Sequence, residues 1–375
     1  MDFHKQNQPT TPSIAVVGNG LSALASVAAL AKVGRSCDLI GDPTKDSHGP
    51  PLVLNDVSEA LLGILFPDIS LQAYGYRLTH RWVRWGSSHS PVKVSQPALA
   101  LSSNTLLTLL RQSQVARASK IHPIDPDHPP DPATMSELLR PYQWVIHTNA
   151  TTVPPEVNWS VLGGGQRIMV TTEGESISAN DSCCYIESLA DSWLFSAPLS
   201  ERRTIIQGCI PSAPNTPQQA LLESLYQSRG IGSRVNNVNS IRCFPCSPYI
   251  RQPLCGVGWF LVGKAAIKLD PVSGEGTPFA LRSAILMAAV LDGILSDRLP
   301  LEAGLQHYCS RLTYSFISHL QGCTRFYEEA FGFQKNWSSE LHCMYHILNI
   351  LYPQFDQILH DIQLYQLVDF RLVQS

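Results

Sequence analysis

Charge is scarce in this sequence. Only 15% of the 375 residues are charged, and 27 Lys and Arg stand against 30 Asp and Glu, for a formal net charge of −3. No basic stripe and no long run of one sign is present, which excludes the electrostatic footprint of a nucleic-acid-binding surface. Long apolar runs are missing as well: no stretch reads as the roughly 18 uncharged residues of a membrane helix. The opening MDFHKQNQPTTPS is polar and lacks the apolar centre of a secretion signal, so a soluble, cytoplasmic protein is expected. There is no internal repeat, no phosphate-cradling G-x-x-x-x-G-K-[ST] loop, and no Ser/His/Asp spacing of a hydrolase triad. The ten cysteines are scattered, and Cys243-Phe-Pro-Cys246 is the one C-x-x-C. No second pair completes a zinc site, and the adjacent Cys183-Cys184 disfavour a simple disulfide, so reduced, mostly buried thiols are expected.

What the chain does have is core: 44% of its residues are hydrophobic. Residues 13–42, SIAVVGNGLSALASVAALAKVGRSCDLIGD, begin with an apolar run ending in glycine, as a buried parallel strand does. A small-residue helix follows from Leu21 to about Lys32, Gly34 ends it, and residues 37–40 form a second strand. Proline-rich joints at 49–51 and 122–132 read as exposed loops. YQWVIHTNA at 142–150 and GWFLVG at 258–263 read as further buried strands, 278–295 as a helix, and most of the chain beyond it as helical. Between 166 and 210, short alternating runs suggest an antiparallel sheet. The expected fold is α/β: a nucleotide-binding unit interrupted by a substrate sheet. Its dinucleotide part comprises 1–50, 95–165 and 243–300, its substrate part 51–94 and 166–242, and a helical region 301–375 follows.

Gly18-Asn-Gly20-Leu-Ser-Ala23 is G-x-G-x-x-A, a permitted form of the dinucleotide fingerprint, and it lies between a strand and a helix as that fingerprint must. Gly18 permits the tight turn, Gly20 lets the backbone approach a pyrophosphate, and Ala23 lets the helix pack close to the sheet. The helix N-terminus then offers N–H groups and a partial positive charge to the phosphates. An acid for the ribose belongs at the end of the second strand. Gly41 stands there and Asp42 follows; Asp42 is the candidate, with a turn role beside Pro43 as the alternative.

A second glycine turn lies far downstream in LVGKAAIKLDPVSGEG, 261–276, after a strand and before a long helix. Asp270-Pro271-x-x-Gly274-x-Gly276 is a kinked loop whose N–H groups can face a flavin ring edge. The two turns together resemble the FAD-dependent monooxygenases of the hydroxybenzoate-hydroxylase type, with the related halogenases and geranylgeranyl reductases. Their pattern is an N-terminal G-x-G-x-x-G and a downstream G-D-A-A-x-x-x-x-P-x-x-G-x-G. Here Gly263-Lys264-Ala265-Ala266, Pro271, Gly274 and Gly276 keep its order and spacing. RWVRWG at 81–86, DSWLFSAPL at 191–199, 253–286 and HLQGCTRFYEEAFG at 319–332 look most like the flavoproteins that mature quinone cofactors in amino-acid oxidases and amine dehydrogenases.

The resemblance implies FAD held by Gly18, Gly20, Ala23, Asp42, Gly263, Lys264, Asp270, Pro271, Gly274, Gly276 and Thr277. It also implies a nicotinamide, NAD(P)H, or another reductant as electron donor, and oxygen transfer to an electron-rich ring. In that branch the ring is a tryptophan of a partner precursor protein. Glu275 is the candidate general base, or else an acid complementing the helix dipole, with the Gly274 and Gly276 amides stabilising charge. Departures stand beside the match. Lys264 replaces the aspartate that bonds the ribityl chain, the strand 144–150 ends in Asn149-Ala150 rather than glycine, and Ser102-Ser103-Asn104 replace an arginine. Lys264 either reaches a pyrophosphate or points away. The W-x-W-x-I-P signature of tryptophan halogenases is absent. Two rivals remain: a small-molecule monooxygenase or reductase, and a chaperone-like relative without catalysis. Trp82, Trp85, Trp193 and Trp259 are core residues or a substrate wall. His319, Cys323 and Tyr327 share a helix face as core or cleft lining, and His307, His342 and His346 read as surface or cap histidines.

Overall fold

A computed structural model describes residues 14–41, 49–87, 90–117, 119–125, 128, 130–149, 157–177, 181–211, 216–238, 241–331 and 335–375. The first apolar run forms the strand Ile14–Val17, which pairs in parallel with Asp38–Ile40 on one side and Trp144–His147 on the other. Trp259–Leu261 and Lys120–His122 extend this sheet in parallel, and Cys255–Gly256 closes one edge as a short hairpin, making six strands. The helices Leu21–Lys32 and Gly276–Leu295 belong to the core on one face. Leu138 and Leu139, from the helix Pro132–Leu139, pack against Ala15, Val17 and Ile40 on the other.

The second sheet has nine strands. Ile168–Ser176, Arg203–Ile210, Trp193–Pro198 and Cys183–Ser188 run antiparallel as the alternation predicts. The last of these then pairs in parallel with Tyr76–Arg84, which continues into Val92–Leu101 and Leu52–Asn55. The strand Val92–Leu101 therefore runs through the expected break between 94 and 95 and belongs to the second sheet. So does Arg242–Pro245, paired with Ile168–Ser176 across the expected break at 242/243. A third, three-stranded sheet joins Ser160–Gly163, Tyr249–Gln252 and Ile267–Lys268.

Three features differ from the sequence reading. The helix Gly276–Leu295 is long and apolar enough to cross a membrane, with mean hydropathy 1.6 over its most apolar window, but 83% of that window is buried within the protein. Arg282 and Asp292 break the run on paper, which hides it from a search for uncharged stretches. The helix Pro132–Leu139 starts inside the proline-rich segment read as a loop, because Asp131 caps the N–H groups of Ala133 and Thr134 and Pro132 fits the first helical turn. The C-terminal part holds Leu301–Phe331, Lys335–Leu351 and Phe355–Gln363 as helices, then a hairpin of Tyr365–Val368 with Arg371–Gln374.

One buried polar cluster ties these parts together. Arg167, with a fully buried side chain, pairs through Nη1 with Asp270 and through Nε with Glu340 at 2.9 Å. Asp270 Oδ1 also accepts from Tyr327 Oη at 2.8 Å and from the Val272 N–H at 3.0 Å. The N–H of Asp270 donates to His319 Nε2 at 2.8 Å, so that nitrogen is an acceptor and the imidazole is neutral. Burial lowers the His319 pKa further, against the pull of Asp270. Trp193 Nε1 donates to Tyr327 Oη at 3.1 Å, and the Arg167 guanidinium lies 4.9 Å from the Tyr327 ring. The shared face of His319, Cys323 and Tyr327 is thus core, but polar core.

Two outcomes follow from this cluster. Arg167→Met leaves two carboxylates buried without their cation and costs about 3–5 kcal/mol in urea unfolding. Adding Asp270→Asn and Glu340→Gln restores part of it, whereas an unchanged midpoint in Arg167→Met refutes the assignment. The second outcome concerns pH. Unfolded histidine titrates at about 6.5, while folded His319 resists protonation. Protons therefore go to the unfolded state first, and stability falls as pH drops below about 6.5. Burial raises the Glu340 pKa, which offsets the loss at the most acid end. Melting temperature against pH is steeper for the wild type than for His319→Gln; parallel curves contradict the proton accounting.

Candidate cofactor site at two helix N-termini

The first glycine turn is built by close approach. Gly18 has φ +140°, and a Cβ there would meet Thr148 Oγ1 at 2.1 Å. Thr148 in turn donates through Oγ1 to the Val17 carbonyl at 2.8 Å, so the middle strand holds the turn in place. Gly41 packs onto the same turn: its Cβ would lie 2.2 Å from Asn19 Oδ1 and 2.5 Å from the Gly18 carbonyl. That contact explains why no acid ends the second strand at 41. Asp42, the ribose candidate, lies outside the described residues.

Gly20 differs from both. A Cβ at Gly20 would meet nothing within 4 Å, and no side chain caps the helix that it begins. Its carbonyl accepts the N–H of Ala23 at 3.1 Å and of Leu24 at 3.2 Å. Among the described residues, the N–H groups of Gly20, Leu21 and Ser22 have no hydrogen-bond partner. Ala23 is fully buried where the helix meets the sheet.

The second turn meets the first at Gly263. Its φ is +60°, and a Cβ there would lie 2.1 Å from Ser22 Oγ on the first helix and 3.8 Å from Ala280 Cβ on the core helix. Two helix N-termini therefore converge on one glycine. The loop between runs through a 3-10 turn, Pro271–Ser273, to Gly274 at φ +69°. Cβ atoms at Gly274 or Gly276 would meet nothing within 4 Å.

The loop donors are not distributed as the sequence suggests. The Gly274 N–H is donated to the Pro271 carbonyl at 3.1 Å, and the Glu275 N–H to Ser273 Oγ at 3.1 Å. Among the described residues, the open donors are those of Gly276 and Thr277, and Pro278 beside them has no N–H to satisfy. Asp270, expected at the cofactor, is 1% exposed with its carboxylate bound to Arg167, Tyr327 and Val272. It positions the loop from behind. Pro271 starts the 3-10 turn that Asp270 caps. Glu275 is not desolvated: its side chain is 38% exposed and faces Arg282 Nη1 at 3.4 Å, a weak surface pair. The dipole-complementing role fits it better than that of a base. Lys264 is exposed, yet desolvation by surrounding protein lowers its ammonium pKa.

Other expected residues disperse. Trp85 is core, donating to the Phe326 carbonyl at 2.7 Å, and Trp193 is core beside Tyr327. Trp259 stacks edge-on with Trp159, while Trp82 lines a cavity of about 230 Å³ with Tyr185, Glu187 and Arg234. They form no single wall. His307 is buried at 2% exposure against the Asp361 carbonyl, whereas His342 and His346 are exposed. Cys246 of the C-x-x-C lies 3.6 Å from Cys209, while Cys243 is exposed. Thr148 is the contributor that sequence reasoning missed; its signal was the threonine directly after a buried strand.

The residues present fit a dinucleotide such as FAD. Three open N–H groups face one unfilled glycine approach, two more face the other, and both lie at uncapped helix N-termini, where anionic groups are stabilised.

No protein-family model and no curated protein matches the chain. Solved structures do. A peptidyl tryptophan dihydroxylase, QhpG, essential for tryptophylquinone cofactor biogenesis, is 18% identical with a TM-score of 0.67, over 88% of this chain and 78% of that one. The myxobacterial chondrochloren halogenase CndH, a variant of FAD-dependent halogenases, is 15% identical with a TM-score of 0.72, over 93% of each chain. The flavin-dependent halogenase CmlS is 14% identical with a TM-score of 0.73, over 98% of this chain and 84% of that one. The chain therefore has the fold shared by flavin-dependent halogenases and hydroxylases.

Proposed function

We propose that the protein is an FAD-dependent monooxygenase that hydroxylates a tryptophan side chain of a partner polypeptide during quinone cofactor formation. The observation that carries the cofactor reading is the convergence of two uncapped helix N-termini on Gly263, with open approaches at Gly20, Gly274 and Gly276. The sequence likeness to the quinone-maturing branch, together with the fold likeness to a peptidyl tryptophan dihydroxylase, supports the substrate.

FAD, bound there, supplies oxygen activation and transfer of an oxygen atom to an electron-rich ring. A nicotinamide or another reductant is the electron source. The chain's own part is binding and orientation. The N–H groups of Gly20, Leu21 and Ser22 would hold phosphate oxygens, with Ala23 keeping the helix close to the sheet. The N–H groups of Gly276 and Thr277, aided by the positive end of Gly276–Leu295, would stabilise negative charge on the flavin. Asp270, held by Arg167, keeps those amides aimed. The indole comes from a protein that docks in the cytoplasm against the substrate sheet and excludes water as it does so.

Gly20→Leu tests the cofactor reading more cleanly than a change at Gly18. Gly18 is packed against Thr148, whereas a side chain at Gly20 points into open space at an ordinary φ of −92°. Gly20→Leu is expected to lose flavin absorbance and the FAD-dependent rise in melting temperature, with an unchanged apo melting temperature. Full flavin retention would refute the turn's role.

The substrate reading is tested by co-expression with genomic neighbours and intact-mass analysis of each. Addition of about 16 or 32 mass units at a tryptophan, one or two oxygen atoms, is expected, and it disappears in Gly276→Leu. Oxygenation or halogenation of a small aromatic, with every partner mass unchanged, transfers the assignment to small-molecule chemistry.

A further inference from the structure

Beside the second glycine turn, the three-stranded sheet carries positive charge without its complement. Tyr249 stands opposite Lys268, and Arg251 follows two residues along the same strand, so all three side chains share one face. Lys268 Nζ lies 5.6 Å and the Arg251 guanidinium 5.5 Å from the centre of the Tyr249 ring. The Tyr249 hydroxyl donates to the Lys264 carbonyl at 2.9 Å, which brings the lysine of the glycine turn to the same place. Lys264 is near enough to Lys268 to lower its pKa, on top of the desolvation that both feel.

None of these three cations has a carboxylate partner among the described residues. Arg251 Nε is buried and, among the described residues, has no hydrogen-bond partner. The opposite face of the sheet holds Ile250 and Ile267, both buried, whereas Val161 on the cationic face is 57% exposed. The face is open to solvent. Two cations flank one ring, and the Lys264 ammonium acts repulsively on that of Lys268; desolvation adds a cost, and an anion that docks beside them offsets both. Lys264 directly follows Gly263, which touches Ser22 in the first turn of the first helix. Through Gly263, the segment that carries Lys264 runs beside the helix end whose N–H groups are open at 20–22.

We propose that Lys264, Lys268 and Arg251, set around Tyr249, form a phosphate site that receives a phosphate or pyrophosphate group of a dinucleotide. The choice of a dinucleotide rests on the reading above; the anion site rests on the cations alone. The shared chemistry has two sources, the pyrophosphate of FAD and the phosphates of a nicotinamide dinucleotide donor.

Calorimetric titration of the full chain tests this with inorganic pyrophosphate, with FAD, and with NADH and NADPH added to FAD-loaded protein. The variant is Lys268→Ala with Arg251→Ala. Lys264→Gln with Lys268→Gln carries the same test if loss of the partly buried Arg251 prevents folding. Pyrophosphate binding is expected to weaken about tenfold or more, the scale of one charge-assisted hydrogen bond. It also becomes less sensitive to salt than in the wild type. Weaker FAD binding with unchanged nicotinamide binding assigns the site to the cofactor; the converse assigns it to the donor. Wild-type protein that binds pyrophosphate through the cluster but no FAD sinks the flavoenzyme reading and leaves the anion site standing. Equal affinities of wild type and variants for pyrophosphate, FAD and both nicotinamide dinucleotides overturn the proposal.

Discussion

The ion triad of Arg167, Asp270 and Glu340 is the constraint on which the rest of the structure depends. Its members are buried, and desolvating such groups costs several kcal/mol per ion before any attraction is counted. The cost is tolerable because their lone pairs and protons are used: Tyr327 and Val272 donate to Asp270, the Gln166 N–H donates to Glu340, and Met344 Sδ lies 3.7 Å from Arg167 Nη2. What the triad imposes is register. Arg167 precedes the strand Ile168–Ser176, Asp270 opens the second glycine loop, and Glu340 sits on a C-terminal helix. Sliding any of these by one turn strands a buried charge. Competing packings of the same apolar surfaces are thereby excluded.

That constraint reaches the candidate site through a single residue. Asp270 caps Val272 with one oxygen and binds Arg167 with the other, so the 3-10 turn after it has one position. The left-handed turn at Gly274 then delivers Gly276 and Thr277 to the start of the core helix with their N–H groups open. On the opposite side, Thr148 and Gly41 fix the first turn against the sheet. The two open helix ends are therefore set by different contacts, and Gly263 lies between them. Such division explains why the residues nearest the open approaches are glycines, whereas the residues that aim them are polar and lie behind.

The first strand, turn and helix were legible because their causes are local. An apolar run, a glycine pair and a small-residue helix all lie within 14–32. The second turn was legible through its pattern, although the pattern misassigned Asp270 and Gly274. Neither residue's partner lies where the motif itself can show it: Arg167 is 103 positions from Asp270, and the Gly274 N–H is taken by a turn only geometry reveals. The C-terminal hairpin was hidden for a different reason. Its turn uses Asp369 and Phe370 at φ +45° and +61°, so the usual glycine or asparagine signal is missing. The helix Pro132–Leu139 carried a start signal, Asp131-Pro132, but the surrounding prolines masked it.

Lys264 shows how one departure from a pattern reorganises a site. An ammonium donates and never accepts, so the acceptor that a carboxylate offers a sugar hydroxyl is lost. Nothing among the described residues replaces it with negative charge at that point. The chain gains instead a cation beside two others, close to amides that already favour anions. Both effects push the same way: less directional bonding to the neutral part of a ligand, more charge attraction to its phosphates. Attraction of that kind is long-ranged and screened by salt, with a decay length of about 10 Å at 0.1 M ionic strength. On the proposed phosphate-site reading, ligand retention varies with ionic conditions more than it would with an aspartate at 264. The fold is kept because Gly263, not its neighbour, is the position pressed against Ser22 and Ala280 of the two helices.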